Sequence, residues 1–124
     1  MANVTIRVYS KINRLYLKLD GFMTVEEAND LKGRYGKALA TCRRGFTVLS
    51  DISSLRSQTP QVQEIMGKIT GMTGEAGVSN VARIVGLNPI AGIQLERLAH
   101  NEGNFKAGNF KTAAEAERFL TNGA

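Results

Sequence analysis

The stretch that decides the fold is Phe46-Thr47-Val48-Leu49-Ser50-Asp51, followed by Ile52-Ser53-Ser54-Leu55-Arg56-Ser57-Gln58-Thr59-Pro60. The first six residues read as a buried strand that ends on a carboxylate. The rest read as a polar loop rich in hydroxyls, running to a helix start. Pro60 suits the first helical position, because the N–H it lacks has no partner within a helix anyway, and Thr59 suits the N-cap. Strand, hydroxyl loop and helix N-terminus in succession suit an anion or a phosphorylatable group, since the first-turn amides and the helix dipole both favour negative charge.

Outward from this stretch, period-two alternation marks two earlier strands. Val4, Ile6 and Val8 alternate with Thr5, Arg7 and Tyr9, and Leu15, Leu17 and Leu19 alternate with Arg14, Tyr16 and Lys18. The link from Ser10 to Asn13 is short enough for a hairpin. Thr24-Val25-Glu26-Glu27 is a capping box, in which the Thr24 hydroxyl and the Glu27 carboxylate each bond the other's backbone amide. Ala28, Leu31, Tyr35, Ala38, Leu39 and Cys42 follow at helical spacing and predict one apolar stripe, with Met23 stapled onto Ala28. After Pro60, the stripe Val62, Ile65, Met66, Ile69, Met72 and Thr73 predicts a second helix, ended by Gly74 and Gly77.

A strand is expected over 81–87, and Asn88-Pro89 then opens a third helix that buries Ala91, Leu95, Leu98 and Ala99 and ends at Gly103. A short strand over 105–110 and a last helix complete the chain. Thr112-Ala113-Ala114-Glu115 is the box of that helix, with Ala113, Ala116, Phe119 and Leu120 as its buried side. Strand and helix alternate after an initial hairpin. This predicts a single α/β domain over 1–124, with a mostly parallel five-stranded sheet, an N-terminal antiparallel hairpin and four helices. At 124 residues one domain is the expected count.

Composition narrows the function classes. The net charge is +5, but the bases are scattered, Arg43-Arg44 is the densest spot, and no aromatics interleave with them, so no nucleic-acid face is expected. No apolar run approaches the ~20 residues of a membrane span, and Arg7 breaks any signal-peptide core, so the reading is cytoplasmic. Cys42 is the only cysteine, which excludes an internal disulfide and a cysteine metal cluster; on the helix stripe it reads as a packed thiol. No GxGxxG or GxxxxGK[ST] follows a strand, so no nucleotide cofactor is expected. His100 is the only histidine, with no nucleophile spacing around it, and reads as a charge complementing a helix C-terminus.

Asp20, Asp51 and Asn88 each stand at the end of a strand, where ligands of open α/β sheets bind. With Ser53, Ser54, Ser57 and Thr59 they would line one crevice. Turn and cap chemistry uses the same residue types in the same places, and two acids make no persuasive metal site. No catalytic residue is assigned.

The order of elements resembles the STAS domain, the fold of the bacterial anti-sigma-factor antagonists. More narrowly, it resembles the small STAS/SEC14-like proteins, also called sporulation stage II AA-like. The resemblance lies in 13–22 (Asn-Arg-Leu-Tyr-Leu-Lys-Leu-Asp-Gly-Phe), in 45–53 (Gly-Phe-Thr-Val-Leu-Ser-Asp-Ile-Ser) and in the helix from Ala113 to Leu120. It implies a non-enzymatic regulatory or protein-interaction module that binds a partner through the loop and helix after the central strand. Asp51, Ser53, Ser54, Ser57 and Thr59 form the candidate partner-binding or phosphoacceptor loop, and Asp20 and Asn88 the candidate crevice. In the signalling antagonists a kinase-targeted serine opens the next helix within an Asp-Ser-Ser-Gly-like motif. Asp51-Ile52-Ser53 matches the strand end, while Ser57-Gln58-Thr59-Pro60 departs from that motif. The alternatives are a SEC14-like carrier, holding a small apolar ligand between helices and sheet, and, third, an enzyme. A homodimer through the outer hairpin face, built on Tyr9 and Tyr16, is also expected, and the alternative is a monomer whose edge is guarded by Arg7, Arg14 and Lys18.

Overall fold

A computed structural model describes residues 2–86, 93–94, 97 and 105–122. The described strands form one five-stranded sheet in the order β1-β2-β3-β4-β5. They are β1 (Ala2–Tyr9), β2 (Arg14–Gly21), β3 (Thr47–Leu55), β4 (Asn80–Ile84) and β5 (Lys106–Phe110). β1 and β2 are antiparallel, and every later pairing is parallel. Among the described residues there are three helices, not four: α1 (Val25–Leu39), α2 (Pro60–Glu75) and α3 (Ala113–Asn122). The helix expected from Asn88-Pro89, with Asn88 and His100, falls outside the described residues. No described helix is long and apolar enough to cross a membrane.

Because the strand order advances in one direction, right-handed crossovers place α1 and α2 on the same face. Their stripes meet Leu15, Leu17, Leu19, Val48, Ile52 and Leu55 in the main core. α3 lies on the opposite face, where Ala116 and Leu120 pack on Leu49, Ala82 and Ile84. Local signals set the helix starts as expected. Thr24 and Glu27 form the full capping box, and Thr59 caps α2 with Pro60 in its first turn.

Four expectations are corrected. α1 ends at Leu39, not Cys42, and Cys42 sits in the following turn, where burial pushes its thiol pKa up. β4 stops at Ile84 instead of continuing to Leu87, as Val85 turns its N–H to the Phe110 carbonyl and Gly86 takes a φ of +55°. Ala113 is exposed, because α3 touches the sheet only from its second turn onward. Arg14 guards no edge: it is 6% exposed, donates from Nε to Thr47 Oγ1 (2.8 Å) and pairs with Glu117 on α3 (3.2 Å).

Candidate functional site

The site expected after the central strand is built differently from its sequence reading. β3 does not stop at Asp51 but runs on to Leu55, so Ser53 and Ser54 are strand residues. The pairing with β2 shifts there: Lys18 faces Asp51, whereas Asp20 faces Ser54. One extra residue in β3 is a bulge. It resets the alternation, so that Ile52 and Leu55 both enter the core although three positions separate them. Asp51 holds the bulge. Its Oδ1 accepts from the Ser53 N–H (3.1 Å) and from the Ser53 hydroxyl (2.7 Å). Gly86 closes on the same point, since a Cβ there would lie 3.1 Å from Ser53 Cβ.

Beyond Leu55 the loop is short. Arg56 donates its N–H to the Gly21 carbonyl, which ties the loop to the end of β2. Arg56 and Ser57 are exposed and Gln58 is buried. The backbone of Gln58 is pinned from both sides: its N–H meets Gln94 Oε1 (3.2 Å), and its carbonyl accepts from Gln63 Nε2 (3.0 Å). Its carboxamide is 6% exposed, yet neither Oε1 nor Nε2 has a hydrogen-bond partner among the described residues. Thr59 Oγ1 then accepts from the Val62 N–H (3.3 Å), and the first turn of α2 contains no acidic residue.

The structure thus brings Asp20, Asp51, Ser53 and Ser54 together at the carboxyl ends of β2 and β3, with Ser57 and Thr59 just beyond. The oxygens of Ser53 and Thr59 are engaged in the bulge and the cap. Ser54 and Ser57 are exposed. Asn88 lies outside the described residues. No group of three or more metal-ligating side chains occurs among the described residues.

Sequence reasoning missed Gln58, because a glutamine before a Thr-Pro cap carries no local sign of burial. It also missed the Glu117 cluster. There Oε1 of Glu117 accepts from Arg14 Nη1 (3.2 Å) and from the Tyr16 hydroxyl (2.7 Å). Burial first, and then the Glu117 carboxylate, push the Tyr16 pKa up. Tyr16 is therefore engaged by α3, while Tyr9, in edge-to-face contact with it at 4.9 Å, remains exposed.

No family model and no curated protein matches this chain. Solved structures do match. One is an uncharacterized protein of the DUF3478 family with a SpoIIAA-like fold, from Shewanella loihica PV-4. It is 20% identical with a TM-score of 0.72, over 96% of this chain and 93% of that one. Another is a point variant of RsbS from Moorella thermoacetica. It is 14% identical with a TM-score of 0.63, over 97% of this chain and 96% of that one. With the antiparallel hairpin, the parallel β2 to β5 and the helices on both faces, these likenesses identify the fold: the chain has the STAS/SpoIIAA-like fold.

Proposed function

We propose that this chain is a non-enzymatic regulatory module that binds a protein partner through the segment from Asp51 to Thr59 and the start of α2. The observation that carries the reading is Gln58. A buried amide group without a hydrogen-bond partner costs about 1–3 kcal/mol, and each such group in a native fold calls for a reason. Sequences break local rules of this kind chiefly where function demands it. Around Gln58 the surface offers Arg56, Ser57 and Ser54, all exposed. The likeness to RsbS supports the same reading by analogy of fold alone.

The test is a photo-crosslinker placed at Ser57 in the native host. It should yield one discrete protein adduct, lost when Gln58 is replaced by leucine. A diffuse set of adducts unaffected by that replacement would reject the docking edge.

The carrier reading finds little room between helices and sheet. The cavity there, lined by Leu17, Tyr35, Val48, Met66 and Ile69, holds about 50 Å³, well below the ~150 Å³ of an engineered cavity that admits benzene. A homodimer through the hairpin would use the β1 edge with Arg7 and Tyr9, because α3 engages Tyr16 and Arg14.

Two further results are expected here. Thr59→Ala should cost about 1 kcal/mol, the usual loss when a helix cap is removed; an unchanged urea midpoint would mean that this hydroxyl does not hold the α2 start. If the edge is a phosphorylation switch, the phosphate should fall on Ser54 or Ser57. A phosphate on Ser53 or Thr59 would have to break the bulge or the cap. Phosphopeptide mapping of protein from the native host decides, and modification confined to residues elsewhere removes the edge as a switch.

A further inference from the structure

The face of the sheet opposite α1 and α2 carries a second feature, which shares Asp51 with the partner-binding edge. α3 covers it only in part. Beside α3 lies an open cleft of about 360 Å³, within the roughly 300–1,000 Å³ usual for small-molecule sites. Two adjacent rows of side chains make its floor. Thr5, Lys18, Asp51 and Ile84 are register partners across β1 to β4, and Arg7, Tyr16 and Leu49 across β1 to β3. Ala113 and Glu117 of α3 form the far wall. The cleft spans four strands at ~4.8 Å spacing, so it is about 14 Å across.

The charges decide what it can hold. Glu117 is neutralised by Arg14 and bonded by Tyr16 through the same oxygen. Asp51 accepts twice from Ser53, and its cross-strand neighbour is Lys18. Counted by formal charge these four cancel, although only Arg14 and Glu117 form an ion pair. Arg7 is left over: it is exposed, it lines the cleft, and it has no carboxylate partner among the described residues. At the opposite end the lining is apolar, from the edges of Leu49 and Ile84 that α3 leaves uncovered. A guanidinium presents a planar fork that matches a carboxylate through two parallel hydrogen bonds. A lone fork at one end and an apolar floor at the other fit a molecule with one carboxylate and a compact hydrocarbon body.

We infer that the cleft between α3 and the outer face of β1 to β4 binds a small monocarboxylate. Its head is held by Arg7, and its apolar body lies over Leu49 and Ile84. The exposed Ala113 sets the width of the mouth.

The experiment is an amide chemical-shift titration of the full chain with octanoate, and separately with octanamide, which has the same body and no charge. Octanoate should produce saturable shifts at Arg7, Tyr16, Leu49, Ile84 and Ala113, and octanamide should bind about tenfold more weakly or less, since it lacks the charge-assisted pair. Arg7→Gln should weaken octanoate by a similar factor. Ala113→Phe should abolish its binding by filling the mouth, and both variants change exposed residues and should melt with the parent. The inference is overturned if octanoate gives no saturable shift, or if the shifts map to the α1/α2 face. It is equally overturned if octanamide or Arg7→Gln matches the parent affinity.

Discussion

Gln58→Leu is expected to make the protein more stable and less able to bind its partner. The carboxamide of Gln58 is 6% exposed, with neither polar atom bonded among the described residues, while its backbone N–H and carbonyl are held by Gln94 and Gln63. Leucine has a similar volume, leaves those two backbone bonds intact and removes the desolvated polar atoms. Replacing an unsatisfied buried polar group in this way should raise the unfolding free energy by about 1–3 kcal/mol. For a domain of this size each kcal/mol raises the melting temperature by about 3–6 °C. Urea unfolding and calorimetry measure the gain. The Ser57 crosslink measures the loss, so the two halves of the prediction are separable. A lower urea midpoint would mean that the carboxamide has a polar partner in the folded protein. A stabilised variant that still crosslinks would leave Gln58 costly but outside the interface. Gains in stability that lower activity are a recurrent signature of functional sites.

At alkaline pH the protein is expected to lose about 2–3 kcal/mol through one buried phenol. Tyr35 lies on the α1 stripe, 3% exposed, with its hydroxyl 2.8 Å from Thr73 Oγ1. The Thr73 hydroxyl donates its only proton to the Ile69 carbonyl at 2.9 Å. Tyr35 must therefore donate to Thr73, and an ionised phenol could not. Burial pushes the Tyr35 pKa up to about 12. The folded value thus lies above the unfolded value near 10. The folded state keeps its proton where the unfolded state has released one. Stability is accordingly complete below about pH 10 and falls as pH rises from there through about 12. Tyr16 is shifted in the same direction, so a variant is needed to isolate Tyr35. Tyr35→Phe should cost about 1 kcal/mol at neutral pH for the lost hydrogen bond, and its loss above pH 10 should be shallower than the parent's. Parallel urea-midpoint curves for the two proteins between pH 8 and 12 would assign the alkaline loss to other groups.

Much of this fold can be read from neighbours in the chain. The Thr24–Glu27 box, the Thr59 cap with Pro60 and the bonds between Thr112 and Glu115 each join groups three residues apart or fewer. Such contacts form wherever the local sequence permits them. The alternation of Val4 to Val8 and of Leu15 to Leu19 assigned one face of the hairpin to the core, and the main core contains those side chains. The handedness of strand-to-strand crossovers did the rest, since it applies to any L-polypeptide and fixes the face on which α1 and α2 lie. The resemblance to the STAS domain agrees with the solved structures that this chain superposes on.

The sequence by itself therefore determined the class of fold, the helix starts and the strand at which the candidate site is placed. Tertiary structure decided the rest. Ser53 and Ser54 looked like loop because hydroxyls are common in turns, but pairing with β2 and burial of Leu55 draw them into β3, with the bulge absorbing the mismatch. Arg14 looked like a guard on an outer face. Glu117, 103 residues further along, turns that position into a buried ion pair. The stranded carboxamide of Gln58, the exposure of Ala113 and the solitary charge of Arg7 are also absent from any local pattern. Each depends on which distant element covers a position and which leaves it open, and only the folded chain specifies that.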